Sequence, residues 1–241
     1  MTDTTTIALI GAIDLTNLET GAPSEAIEAL CVKANRFGTA AVCVYPEHVA
    51  LARRLLEDSG VKVATVLNFP TGRASLQQVL DEAAHAVKLG AEELDLVVPY
   101  ALPHPARATE AMVAAIKAAH PELPLKAILE TGEMESDERR ALARAAIAGG
   151  ADFLKTSTGK TPHGASPEAA ADLLAEIAAA DRDLGLKVSG GIRDRAAALG
   201  YLAQARAAFG PENAGPDMFR IGCSGLLDAL VGEAGAASGS Y

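Results

Sequence analysis

Two lysines end short apolar segments, and a glycine-containing loop follows each of them. Lys155 follows Asp152-Phe153-Leu154 and precedes Thr156-Ser157-Thr158-Gly159-Lys160, whereas Lys187 precedes Val188-Ser189-Gly190-Gly191. An ammonium group in apolar surroundings is costly unless it is neutralised or paired. A lysine whose pKa is lowered by burial or by a second cation can form a Schiff base with a carbonyl substrate. The pair therefore predicts a nucleophile at Lys155 that Lys187 assists, although either lysine alone could simply lie at the surface.

A carboxylate lies within a third apolar segment, Leu94-Asp95-Leu96-Val97-Val98. Strand alternation places Asp95 on the face opposite to Leu94 and Leu96. A buried carboxylate needs a cationic partner or water, and the two lysines could supply that partner. Asp95 could orient a water and relay a proton, or it could form a salt bridge that only stabilises the fold. Asp14 and Lys126 are candidates to extend the same network, and each could be purely structural.

Three loops have the composition of a phosphate-binding site. Glycine lets backbone N–H groups approach phosphate oxygens, and lysine or arginine adds positive charge. The alternative is that these glycines only make tight turns. Gly159-Lys160-Thr161 is similar to the end of a nucleotide-binding P-loop, but that motif requires glycine where this chain has Leu154. The candidate phosphate ligands are Gly159, Lys160, Gly190, Gly191, Arg193, Gly222 and Ser224.

The elements that must position these residues alternate between short apolar runs and longer helical patterns. Eight such units without a linker favour a closed (β/α)8 TIM barrel in a single domain over residues 1–241, with a flexible tail at about 232–241. An open doubly wound sheet is the alternative, but no GxGxxG follows the first strand. The predicted strands are Ala8–Asp14, Ala40–Tyr45, Lys62–Asn68, Glu93–Val98, Leu125–Glu130, Phe153–Thr156, Leu186–Ser189 and Met218–Gly222. The predicted helices are Ser24–Arg36, Glu47–Asp58, Ser75–Leu89, Pro105–Ala119, Asp137–Ala148, Pro167–Ala180, Arg195–Ala207 and Ser224–Val231, with N-caps at Ser24, Ser136 and Ser166.

Composition narrows the function classes. The chain has 241 residues, 49% of them hydrophobic, and a formal net charge of -10, which argues against nucleic-acid binding and against an anionic membrane surface. No apolar run approaches the length of a membrane span, and the amino terminus does not have the pattern of a signal peptide. Three scattered cysteines predict neither a disulfide framework nor a thiolate metal site, so we expect a cytoplasmic protein. The five histidines form no metal motif, and Cys43 is expected to be a small apolar wall facing the substrate.

Taken together, these segments resemble the deoxyribose-phosphate aldolase (DeoC) family of class I aldolases. The most specific matches are Asp152 to Gly159, Lys187 to Arg193 and Glu93 to Pro99. Asp14-Leu15-Thr16, Cys43 to Pro46, Asn68 to Gly72 and Glu130-Thr131-Gly132 match in the same order.

The resemblance implies a metal-independent enzyme without a cofactor that reversibly cleaves 2-deoxy-D-ribose 5-phosphate into D-glyceraldehyde 3-phosphate and acetaldehyde. It implies Lys155 as the Schiff-base lysine, Lys187 as the second lysine and Asp95 as the proton-relay acid. It also implies a proton-moving role for Tyr241 at the carboxyl terminus. Asp14, Thr16 and Lys126 are expected to join the phosphate-loop residues in binding substrate, and we expect a homodimer.

Three other functions remain open. A class I aldolase for another phosphorylated sugar would share the lysine pair and the phosphate loops. A non-catalytic phosphosugar-binding barrel would not need Lys155, Lys187 and Asp95 together. A barrel isomerase or epimerase that uses acid-base chemistry alone would not need a pair of lysines.

Overall fold

Eight parallel strands close into one barrel, in which each strand pairs with the next along the chain and β8 pairs with β1. The structure is a computed structural model that describes residues 3–238, with side chains through residue 232. This architecture confirms the predicted (β/α)8 TIM barrel. The strands are β1 (Ile13–Asn17), β2 (Ala41–Val44), β3 (Lys62–Leu67), β4 (Glu93–Val97), β5 (Leu125–Ile128), β6 (Phe153–Lys155), β7 (Gly185–Ser189) and β8 (Phe219–Cys223).

Helices surround the barrel and cover the outward faces of the strands. One precedes β1 and each of the other eight follows a strand, within the part of the chain that the structure describes. They are α1 (Thr4–Gly11), α2 (Ser24–Phe37), α3 (Val49–Leu55), α4 (Leu76–Lys88), α5 (Pro105–Ala119), α6 (Ser136–Ala148), α7 (Pro167–Ala178), α8 (Arg195–Phe209) and α9 (Leu226–Ser238). Outward residues such as Leu94, Leu96 and Leu154 are fully buried beneath them in the main hydrophobic core.

The predicted first strand, Ala8–Asp14, is wrong over most of its length. Residues Thr4–Gly11 form α1, and β1 begins only at Ile13. Asp3 caps this helix, because its side chain accepts hydrogen bonds from the backbone N–H groups of Thr5 and Thr6. An apolar run of this length is compatible with either element, and here the cap decides for the helix.

Helix ends also differ from the sequence predictions at several points. Ser166 is the N-cap of α7 and accepts from the N–H of Ala169, as predicted. Pro23 and Glu135, not Ser24 and Ser136, cap α2 and α6. At the carboxyl end, α9 continues through Ser238 into the segment that was expected to be a flexible tail. Tyr241 lies outside the described residues.

The barrel interior divides into an apolar half and a charged half. On the β2–β3 side, Ala41, Cys43, Ala64 and Val66 form a small buried cluster. Around the rest of the barrel, seven inward-facing positions carry charged side chains with little or no solvent exposure, which are Asp14, Glu93, Asp95, Lys126, Lys155, Lys187 and Arg220. Because a buried charge is stable only when it is paired and hydrogen-bonded, the arrangement of these seven groups determines what the interior can do.

Candidate active site

Asp95 is the centre of the buried charges. Its Oδ2 accepts hydrogen bonds from the Nζ atoms of Lys155 at 2.6 Å and of Lys187 at 2.7 Å. Its Oδ1 accepts from Nζ of Lys126 at 3.0 Å. Strands β4, β5, β6 and β7 therefore converge on one carboxylate, as the sequence predicted for Asp95 and the two lysines. Lys155 and Lys187 also face each other in the register of β6 and β7.

The remaining charges close a ring on the far side of this centre. Lys187 also donates to Oδ2 of Asp14, whose Oδ1 accepts from Nη1 of Arg220 at 2.7 Å. Nη2 of Arg220 donates to Oε1 of Glu93 at 2.9 Å, and Oε2 of Glu93 accepts from Nζ of Lys126 at 2.6 Å. We call this closed path the charge ring; its members, in order, are Arg220, Asp14, Lys187, Asp95, Lys126 and Glu93.

The charge ring alternates three cations with three carboxylates and is therefore neutral when all six groups are ionised. Burial opposes the ionisation of every member, but the opposite charges outweigh it. The pKa values of Asp14, Glu93 and Asp95 consequently lie below their ordinary values, and those of Lys126, Lys187 and Arg220 lie above theirs. All six members are ionised near neutral pH.

Lys155 is a seventh group, attached to the charge ring through Asp95. Its ammonium form would be an excess positive charge in a buried site. Burial, followed by the positive charge of Lys187, lowers the pKa of Lys155, and Asp95 opposes the change only in part. Among these four cations Lys155 is thus the one whose neutral, nucleophilic form is favoured.

Lys155 reaches the floor of a cleft at the carboxyl ends of the strands, where barrels of this type carry their active sites. The cleft has a volume of about 430 Å³. Its lining residues include Thr16, Lys155, Gly159, Lys160, Gly190, Gly191, Arg193, Gly222 and Ser224. A larger groove of about 530 Å³ lies beside Leu184 and Met218, at the amino-terminal ends of β7 and β8 and away from Lys155.

Asp14 and Lys126 extend the network of Asp95 and the two lysines, as the sequence analysis expected. Both side chains are fully buried in the charge ring and neither belongs to the described lining of the cleft, so their expected contact with substrate stays a prediction. Asp14 lies two residues before Thr16 on β1, so it is deeper in the barrel than the residue that does line the cleft. We therefore assign Asp14 and Lys126 to holding the charges of the site.

The loops after β6, β7 and β8 meet at one wall of the cleft. Gly190 adopts φ +90°, and a Cβ atom on it would lie 2.9 Å from Cα of Gly164. Glycine is therefore needed for these two loops to approach each other. Lys160 and Arg193 are exposed on this wall, and Nζ of Lys160 donates to the carbonyl oxygen of Leu18 at 2.6 Å. This wall is locally cationic in a chain whose net charge is -10.

Glu130 holds the Lys160 loop in place. It adopts a left-handed backbone conformation with φ +56° two residues after the end of β5, and its side chain turns toward the next loop. Its carboxylate accepts from Oγ1 of Thr158 at 2.5 Å and from Oγ1 of Thr161 at 3.3 Å. Thr158 Oγ1 in turn accepts from the backbone N–H of Lys160 at 3.0 Å.

Sequence reasoning missed the functional positions of Arg220, Glu93 and Glu130. For Glu93 and Arg220 a signal was present, because Glu93 is two residues from Asp95 and Arg220 is two residues from Gly222. Both pairs therefore share the inward face of a strand. Glu130 was noted only in the Glu130-Thr131-Gly132 match at the end of a predicted strand, and its role depends on the neighbouring loop.

Cys43 lies inside the barrel beside the charged half. It is fully buried, and burial raises the pKa of its thiol to about 11. A thiol in this state is a poor nucleophile near neutral pH. Cys43 is not among the described residues that line the cleft, so its expected position facing the substrate stays a prediction. Among the side chains that the structure describes, residues 3–232, no three His, Cys, Asp or Glu form a group able to hold a metal ion. In the same range no helix has the length and apolar character needed to cross a membrane.

Comparison with known proteins identifies the relatives of this chain. The model of the DeoC/LacD family of aldolases matches residues 8–239. A deoxyribose-phosphate aldolase from Agrobacterium fabrum is 40% identical over 96% of this chain and 94% of its own length. The solved structure of QR15, an aldolase, is 29% identical with a TM-score of 0.82 over 97% of this chain and 99% of its own. The tetrameric deoxyribose phosphate aldolase from Aeropyrum pernix is 29% identical with a TM-score of 0.79 over 96% of this chain and 93% of its own.

Proposed function

The chain belongs to the DeoC/LacD family of aldolases, and on that basis we propose that it reversibly cleaves 2-deoxy-D-ribose 5-phosphate into D-glyceraldehyde 3-phosphate and acetaldehyde. The observation that carries the proposal is the state of Lys155. Its pKa is lowered, its amine lies at the floor of the cleft, and a second ammonium group shares its carboxylate partner. These are the conditions under which a lysine forms a Schiff base.

The reaction begins at the aldehyde carbon of the open-chain sugar. The neutral amine of Lys155 attacks C1 to form a carbinolamine, which loses water to give an iminium ion. Lys187 remains protonated beside Lys155, because Asp14 and Asp95 raise its pKa. Asp95 bonds to both lysines and is the group best placed to pass protons between them through water.

Carbon–carbon cleavage uses the iminium ion as the electron acceptor. When the hydroxyl at C3 loses its proton, the C2–C3 bond breaks, its electron pair forms an enamine on Lys155, and D-glyceraldehyde 3-phosphate leaves. Protonation of the enamine carbon and addition of one water then release acetaldehyde and restore the amine. Each proton removed is returned by the end of the cycle, so neither a cofactor nor a redox step is required.

The cationic wall accounts for the phosphate group. Lys160 and Arg193 supply charge, and the loop around Gly190 and Gly191 can present backbone N–H groups. The loop that carries Ser224 leads directly into the amino terminus of α9, which favours an anion. We assign Thr16, Gly159, Gly222 and Ser224 to the same substrate contact surface.

Borohydride reduction with acetaldehyde tests the nucleophile. An adduct located on Lys155 by peptide mass mapping is expected in the wild-type protein and should be absent in Lys155→Met. Lys160→Met is the matched control, because it removes a lysine from the same cleft but should still be trapped. A folded wild-type protein that yields no adduct would overturn the mechanism and favour a phosphosugar-binding or acid-base barrel.

Turnover assays distinguish the proposed enzyme from a class I aldolase that acts on another phosphorylated sugar. The proposed enzyme releases acetaldehyde from 2-deoxy-D-ribose 5-phosphate. An aldolase for another phosphorylated sugar would form an adduct but would not cleave this substrate at a useful rate.

We further propose a homodimer in the cytoplasm, with Tyr241 assisting proton transfer. Ile7 on α1 and Val32 on α2 are 58% and 65% exposed, which is compatible with a subunit contact. The three cysteines are unpaired, as expected in a reducing compartment. Light scattering during gel filtration tests the homodimer by measuring the mass of the assembly. The role of Tyr241 is tested by comparing the rate of the proton-transfer step in Tyr241→Phe with that in the wild-type protein.

A further inference from the structure

In the charge ring Arg220 lies opposite Asp95, the member that binds Lys155, and Glu93 is the neighbour of Arg220. Arg220 is 6% exposed and Glu93 3% exposed, so their pairing is almost entirely shielded from solvent. Two guanidinium nitrogens of Arg220 donate to the carboxylate of Glu93, Nη1 to Oε2 at 3.3 Å and Nη2 to Oε1 at 2.9 Å. The backbone carbonyl of Pro216 accepts from Nε and so fixes the guanidinium from behind.

Arg220 and Glu93 each bind one of the two ring members, Asp14 and Lys126, that link them to Lys187 and Asp95. Arg220 binds Oδ1 of Asp14, and the other oxygen of Asp14 binds Lys187. Glu93 binds Lys126, which then occupies the free oxygen of Asp95. Asp14 is thereby oriented toward Lys187, and Asp95 is left with one oxygen for both Lys155 and Lys187.

We infer that Arg220 and Glu93 are positioning residues that set the protonation state of Lys155 through the charge ring; this inference rests on the proposed function. Arg220 supplies the third cation that balances the three ring carboxylates. With that balance in place, a proton on Lys155 is an uncompensated buried charge. Neither Arg220 nor Glu93 is among the described residues that line the cleft, so this action does not require contact with substrate.

The inference predicts opposite effects for the two residues. Without the positive charge of Arg220, the carboxylates outnumber the ring cations by one, and a proton on Lys155 is then balanced. Without the negative charge of Glu93, the ring carries an excess positive charge that opposes a proton on Lys155 further. The groups that face Lys155 directly are not themselves substituted in either variant; they are Asp95 on β4, Lys187 on β7 and Cys43 on β2.

The test is the pH dependence of acetaldehyde trapping by borohydride in Arg220→Gln, Glu93→Gln and the double variant. The midpoint should rise by about one pH unit in Arg220→Gln and fall by about one unit in Glu93→Gln, because a unit charge acts over several ångströms of protein interior. The double variant should return toward the wild-type midpoint. Peptide mapping must locate the adduct on Lys155 in each protein.

A merely structural role would lower stability in both single variants and leave their midpoints at the wild-type value. That result, or shifts of the same sign, would overturn the inference. If Arg220→Gln does not fold, the sign of the shift in Glu93→Gln decides, since a fall supports the inference and an unchanged midpoint refutes it. Absence of trapping in the wild-type protein would instead overturn the proposed function itself, so the two failures are distinguishable.

Discussion

Replacing Lys187 by methionine should raise the pKa of Lys155 strongly. The stem of Lys187 packs against Gly222, because a Cβ atom added to Gly222 would lie 3.1 Å from Cε of Lys187. Methionine has nearly the length of this stem and can fill the same space. The substitution removes the cation that shares Oδ2 of Asp95 with Lys155. Asp14 retains Arg220 as a partner, so no ring carboxylate is left without a cation.

The size of the effect follows from the distance between the two ammonium nitrogens. They are at most about 5.3 Å apart, because both donate to the same oxygen at 2.6 and 2.7 Å. At an effective dielectric constant of about 20, two unit charges at this separation repel by about 3 kcal/mol. That energy corresponds to about 2 pKa units. Below both midpoints the neutral fraction of Lys155 should therefore fall about 100-fold.

The assay is the rate of borohydride trapping with acetaldehyde, measured across pH in the wild-type protein and in Lys187→Met. The midpoint should move upward by about 2 pH units in the variant, and trapping at high pH should recover. Lys160→Met is the control, because Lys160 lies in the cleft but outside the charge ring and acetaldehyde carries no phosphate. Coincident midpoints in Lys187→Met and wild type would refute the electrostatic pairing of the two lysines.

Three further predictions concern stability and substrate binding. Asp95→Asn should lower the free energy of unfolding by about 3 to 5 kcal/mol in urea titrations, because the buried ammonium groups of Lys126 and Lys187 lose their shared carboxylate; a loss below about 1 kcal/mol would contradict the central place of Asp95. Lys160→Met should raise KM for 2-deoxy-D-ribose 5-phosphate about tenfold through loss of one charge-assisted contact, with kcat little changed, whereas an equal loss in kcat would move Lys160 into the chemistry. The melting temperature should be highest above about pH 5 and should fall as the pH drops below about 4. The reason is that Asp14, Glu93 and Asp95 have lower pKa values in the folded chain than in the unfolded chain, so the unfolded chain binds protons at a higher pH. A melting temperature that stays constant between pH 6 and about pH 3 would argue against ionised carboxylates in the charge ring.

Most of the architecture follows from local sequence signals. Each apolar run sits between helical segments, and a chain of such units can bury both faces of its strands by closing into a barrel. Period-two alternation places Asp95, Lys155 and Lys187 on the inward face, and the rule that barrel chemistry lies at the carboxyl ends of strands selects the loops at Gly159, Gly190 and Gly222. The exception is α1, where one capping aspartate outweighs an apolar run that suits either a strand or a helix.

Only the tertiary structure decided how the charges are paired. Lys187 and Asp14 are 173 positions apart, and Arg220 and Asp14 are 206 apart, yet the pairing of β8 with β1 brings them into contact. No local pattern reveals such partners, because the closure of the barrel, and not the spacing along the chain, sets the distances between side chains. The sequence by itself therefore determined which residues point inward and the kind of chemistry they can perform. Barrel closure determined that six of them form a neutral ring, so that Lys155 is the lysine of the site whose pKa is lowered.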